Sequence, residues 1–186
     1  MVILMDLKKY GIRCLLCICT VILLLSGCSK VESDGLTGSS SVSPEVSLIS
    51  SASQVTNGST FTVSVDVSNA TDLFGVNFDL QYDKTVFSKT AITDGGFLAA
   101  PVDLFYGEDI QSGNFAVGVS SRAGTSGTHT GVTGSGTLCT ITFQAISTGS
   151  AKEIKIATGS AKFYDTSTSL NQTAPDVGSS VTITVN

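Results

Sequence analysis

The sequence predicts an all-β domain, and three observations predict it. Apolar residues recur at every second position, not at every third or fourth. Thr, Ser, Val and Gly dominate a chain in which only 13% of residues are charged, and no segment carries a helical period. Short β-prone runs are separated by turn-forming clusters, which is the pattern of two packed antiparallel sheets and not of a parallel sheet with crossover helices.

The runs follow in order. Val46 to Ser50 opens the series, and Asn57-Gly58 then supplies a positive-φ turn. In Thr60 to Ser68, Phe61, Val63, Val65 and Val67 share one face while small polar groups take the other, so one side meets a core and the other meets water. Leu73 to Tyr82 turns Val76, Phe78, Leu80 and Tyr82 inward and Gly75, Asn77, Asp79 and Gln81 outward. Val86 to Ile92 ends at the breaker Asp94-Gly95-Gly96, and Val102 to Tyr106 follows it. After Ser112-Gly113-Asn114, Phe115 to Ser120 sends Phe115, Val117 and Val119 inward and Ala116, Gly118 and Ser120 outward. Arg122 to Gly136 holds five glycines and reads as an exposed loop. Leu138 to Ile146 sets Cys139, Ile141 and Phe143 on one face, and Thr148-Gly149-Ser150 closes it. Ile154 to Ala157, Ala161 to Tyr164 and, behind Gly178-Ser179-Ser180, Val181 to Val185 complete the set.

The amino terminus is of a different kind. Lys8, Lys9 and Arg13 precede a twelve-residue apolar stretch, Cys14 to Leu25, which is too short to span a bilayer comfortably. The junction Leu25-Ser26-Gly27-Cys28 resembles a bacterial lipobox, so residues 1–27 are expected to be a lipoprotein signal peptide and Cys28 the lipidated first residue of the mature chain. Residues 28–44, rich in Ser and Gly, are expected to form a flexible tether, because such a composition buries too little apolar surface to offset ordering entropy. Residues 45–186 are then one domain, held outside the cytoplasm on a bacterial membrane. In a host with two membranes, the absence of Asp at Ser29 points to the outer one.

Composition excludes several function classes. Beyond Cys28 the one cysteine is Cys139, so no internal disulfide forms, and its inward phase makes it a buried, inert thiol. From Lys30 onward seven cations face fourteen carboxylates, a balance that disfavours nucleic acid. No catalytic residue is expected. His129, the single histidine, sits in Ser126-Gly127-Thr128-His129-Thr130-Gly131, a setting too flexible to hold a general base in place, and is expected to be exposed. Glu108 and Asp109 are sequence neighbours that read as a solvated turn, not as a pair flanking one glycosidic bond. Asp34-Gly35 and Asp94-Gly95 lack the later ligands of a calcium loop, so neither a metal nor a cofactor is expected.

Three segments in sequence order carry a family resemblance: Thr60 to Ser68, then Phe74-Gly75-Val76-Asn77-Phe78-Asp79-Leu80-Gln81-Tyr82-Asp83, then Gly136-Thr137-Leu138-Cys139-Thr140-Ile141-Thr142-Phe143. Together they resemble a cohesin domain, across about Val46 to Val185. The resemblance implies a nine-stranded β-sandwich with jelly-roll topology. It also implies a non-catalytic, monomeric module that holds a dockerin partner, with a link to polysaccharide catabolism. Any calcium in such a pair would belong to the partner. On this resemblance the partner face is the outer side of the sheet containing Leu73 to Tyr82 and Phe115 to Ser120. Its residues are Gly75, Asn77, Asp79, Gln81, Ala116, Gly118 and Ser120, a flat platform of small and hydrogen-bonding groups suited to a helical partner. Asn77 stands where many members carry an acidic contact residue, and Gly75 where several carry asparagine.

Direct carbohydrate binding is the alternative. It commonly uses exposed aromatic rings, and this chain has no Trp. Phe105 or Tyr106, beside Gly107-Glu108-Asp109, is then the sugar contact.

Overall fold

The computed structural model describes residues 44–107, 113–167, 172–173 and 180–186. The expected signal peptide, Cys28, the tether, and the Glu108-Asp109 turn lie outside the described residues. Among those described there are eleven strands: β1 (Glu45–Ser50), β2 (Gln54–Val55), β3 (Thr60–Tyr82), β4 (Phe87–Asp94), β5 (Val102–Tyr106), β6 (Asn114–Ser121), β7 (Val132–Ala145), β8 (Gly149–Ile156), β9 (Lys162–Asp165), β10 (Gln172–Thr173) and β11 (Ser180–Val185). They form a β-sandwich. The two-residue strands β2 and β10 had no counterpart among the sequence-predicted runs.

One strand belongs to both layers. The sequence reads as two strands separated near Asn69 and Asp72, whereas β3 runs unbroken from Thr60 to Tyr82. Asn69 and Asp72 hold φ of 54° and 52°, a left-handed conformation that Asn and Asp tolerate better than most residues. The register against β7 shifts on either side of Ala70, so the strand bends where it was expected to stop. Its first half lies between β1 and β7, with β4 beyond β7. Its second half pairs with β6 on one side and with β9 and β8 on the other, with β5 beyond β6 and β11 beyond β8.

Two further expectations are corrected. The glycine-rich segment is a loop only as far as Gly131, because β7 starts at Val132 and pairs Val132 with Leu73 and Gly134 with Ala70 across the bend. The pairing is not antiparallel throughout. β11 meets β2 in parallel, with Thr184 beside Gln54 and Val185 beside Val55.

The inward faces pack as alternation predicts. Phe61, Val63, Val65 and Val67 are buried, as are Val76, Phe78, Leu80, Phe115, Val117, Val119, Ile141, Phe143, Ile156, Ile183 and Val185. Val181, expected among them, is half-buried near the start of β11. Phe143 is the hub of an aromatic cluster with Phe61 at 5.7 Å, Phe87 at 6.4 Å and Tyr82 at 5.1 Å between ring centroids. Cys139 is buried, and desolvation, reinforced by Asp94, pushes its thiol pKa up to about 12.

Candidate partner-binding groove

The same alternation that fills the core builds the outer face of β5, β6, β3 and β9. Because Val76, Phe78 and Leu80 are buried on β3, Asn77 and Asp79 are exposed; because Phe115 and Val117 are buried on β6, Ala116 is exposed. Cross-strand pairing then aligns these positions in rows. Phe105, Gly118, Asn77 and Lys162 form one row across four strands, and Asp103, Ser120, Gly75 and Tyr164 form the next.

The first row, with Tyr164 of the second, lines an open groove of about 890 Å³. Asn77, Asp79, Ala116 and Gly118 make its floor; Phe105, Tyr106 and Gly107 lie on one side and Gly159, Ser160, Lys162 and Tyr164 on the other. Asn77 is fixed in place. Its Nδ2 donates to the Tyr164 hydroxyl at 3.0 Å, and a Cβ on Gly118 would come within 2.8 Å of its Oδ1. The side chain therefore lies across a position that only glycine leaves clear. The Asp79 N–H donates to Ser160 Oγ at 3.0 Å, which ties the segment before β9 to the floor.

Four of the seven predicted partner residues meet in this groove. Gly75 is on the expected face but is buried, because the Tyr164 ring and Ser120 cover it, so it cannot touch a partner directly. Ser120 and Gln81 are half-buried and do not line the groove. Ser160, Lys162 and Tyr164 are functional candidates that the sequence reading missed. With Ala161 and Phe163 buried, alternation puts Lys162 and Tyr164 outward, but nothing local reveals that β9 lies against β3.

The two aromatic candidates separate. Phe105 pairs with Gly118 on the groove side and is 62% exposed. Tyr106 pairs with the inward Val117, and its ring lies under the Lys89 ammonium at 4.3 Å, which also sits 4.9 Å from the Phe115 ring. The two rings thus serve different surfaces of the edge strand.

Charge is arranged around the groove. Arg122 clasps Asp103 with Nε and Nη2, and those hydrogen bonds hold the Asp103 carboxyl below, and the Arg122 guanidinium above, their usual ranges. Lys162 and Asp79 are the charged residues lining the groove itself. Beyond Tyr164, Phe74 stacks on His129 at 4.2 Å, and His129 Nδ1 donates to the Ser121 carbonyl at 2.7 Å. His129 is therefore half-buried and braced, not the free loop residue expected from its glycine-rich surroundings.

The cohesin-domain family model matches residues 46–185. The chain belongs to the cohesin family. Cohesin domains are non-catalytic binding modules, and this cohesin shares its fold with solved relatives at low identity. A cohesin module from a Clostridium perfringens family 33 glycoside hydrolase matches with TM-score 0.63 at 13% identity, covering 77% of this chain and 97% of that one. The sixth cohesin of Acetivibrio cellulolyticus scaffoldin B, solved in complex with a dockerin, matches with TM-score 0.59 at 19% identity over 77% and 98% of the two chains. A type II cohesin from the Acetivibrio cellulolyticus cellulosome gives 0.61 at 14% over 76% and 95%. Among curated proteins none matches the sequence.

Proposed function

We propose that this cohesin is an extracytoplasmic docking module that holds a dockerin-type protein in the groove between β5 and β9. The observation that carries the reading is the groove itself: a floor of Gly118 and Ala116 admits a helix closely, while Asn77, held by Tyr164, presents an oriented amide. The scaffoldin B cohesin solved with a dockerin supports the choice of partner. Titration calorimetry against a panel of dockerin modules tests it. Wild-type protein is expected to bind at least one module and Ala116→Arg, at an exposed position of the floor and with unchanged melting temperature, to bind none; equal binding by both would overturn the assignment of the face.

The reading includes anchorage. The basic, apolar and Leu-Ser-Gly-Cys segments support lipidation at Cys28, with residues 29–44 as spacer, and retention at the outer surface of a bacterial membrane. Incorporation of labelled palmitate that persists in Cys28→Ala would refute it. A connection to polysaccharide breakdown gains support from the glycoside hydrolase that carries a related cohesin.

Glycan binding in the same groove is a second reading, favoured by one observation, the exposed Phe105 ring on its wall. Glycan-array signal that vanishes in Phe105→Ala would favour it over the protein partner.

A further inference from the structure

Resting on the reading of the groove as a protein-partner site, we infer that Phe105 and Lys162 select the partner, and that they select one helix with an apolar flank and an acidic flank. These two residues lie on opposite sides of the groove in the same cross-strand row, Phe105 beside Gly118 and Lys162 beside Asn77, and the row continues past Lys162 to Thr173 on β10. Three inter-strand spacings set their Cα atoms roughly 14 Å apart. An α-helix with its side chains is about 10–12 Å across, so a single helix lying over Gly118 fills the space between them and a helix pair does not.

The flanks differ in chemistry. Phe105 offers an exposed ring to one side, and a partner that covers this ring gains a large apolar area. Lys162 is exposed on the other side and is the cation among the lining residues. None of the ion pairs among the described residues engages it. Its ammonium is therefore available to a carboxylate on the incoming helix.

Between the flanks the floor discriminates less. One N–H of the Asn77 amide goes to Tyr164, which leaves its Oδ1 and second N–H to any hydrogen-bonding side chain, and Gly118 and Ala116 offer no reach. Asp79 supplies repulsion. It lies two residues along β3 from Asn77, about 7 Å, so an acidic side chain displaced by one helical turn meets a carboxylate in place of the ammonium. Attraction at Lys162 and repulsion at Asp79 together fix the register of the helix.

The test uses the mature chain and a yeast-displayed library of dockerin modules randomised at exposed helix positions. Selection on wild-type protein is expected to enrich Leu, Ile, Met or Phe on one flank and Asp or Glu on the other. Binders so selected are expected to lose about tenfold in affinity or more on Lys162→Glu. Reselection on that variant is expected to enrich Lys or Arg at the formerly acidic position, while selection on Phe105→Ala loses the apolar preference alone. Equal melting temperatures establish that both variants fold. Binders without an acidic preference, or binders that hold Lys162→Glu as tightly as wild type, overturn the inference and leave the partner site standing. A library that yields no binder at all overturns the partner site itself, and the inference with it.

Discussion

Asn77 and Tyr164 are joined by a 3.0 Å hydrogen bond although 87 positions separate them in the chain. That bond spans β3 and β9 on the outer face and sets the amide over Gly118. It gives the groove a shape before any partner arrives, which lowers the cost of ordering on binding.

Gly118→Ala tests that shape directly. The new Cβ would lie 2.8 Å from Asn77 Oδ1, so the amide must swing away from Tyr164. Gly118 is half-buried and the swing breaks the hydrogen bond, so stability is expected to fall by roughly 1 kcal/mol. Partner affinity is expected to fall, and calorimetry beside a thermal melt separates the two effects.

Phe143→Ala is expected to do the reverse. Its ring packs against Phe61, Tyr82 and Phe87 with no exposure, so truncation leaves a cavity costing about 3–5 kcal/mol. Phe78→Ala should behave alike, whereas Asn77→Ala and Asp79→Ala, both exposed, should leave the denaturation midpoint nearly unmoved. Urea titrations of the four variants check the contrast.

Asp83 makes stability depend on acid. Lys152 donates to its Oδ2 at 2.7 Å and Thr85 donates to Oδ1, and these bonds lower its pKa from 3.8 to about 2. A depressed folded-state pKa contributes stability above the unfolded value and loses it as pH falls through the folded one, so the loss is expected between about pH 4 and pH 2. Both side chains are about one-third exposed, and solvent screening holds the contribution to about 1 kcal/mol. Denaturant melts across that window should show a component absent from Asp83→Asn.

Cys139 should resist alkylation. With its thiol pushed up to about 12 and its side chain buried, iodoacetamide at pH 8 is expected to leave it unmodified in the native domain and to modify it in urea. Mass spectrometry reads the difference.

What the sequence disclosed was what two-residue periodicity controls. Phe78 against Asn77 and Val117 against Gly118 took their expected sides, because the face of a strand residue is decided by its immediate neighbours. Pairing between distant strands is not decided locally, so Tyr164 and Lys162 were overlooked and the concealment of Gly75 beneath Tyr164 was not foreseen. The alternation lapses between Ser68 and Leu73, so two strands are expected there; the left-handed conformation of Asn69 and Asp72 instead bends a strand that continues. His129 was misjudged for a related reason, since its brace, Phe74, lies in a different part of the chain.

The unbroken course of β3 has a mechanical consequence. Its later half carries Asn77 and Asp79, and its earlier half is laddered to β1 from Glu45↔Ser68 to Ser50↔Val63. A load applied at the outer face of β3 and β6 can therefore run along one covalent backbone from one layer to the other, without relying on side-chain contacts across the interior, and reach the strand where the described chain begins.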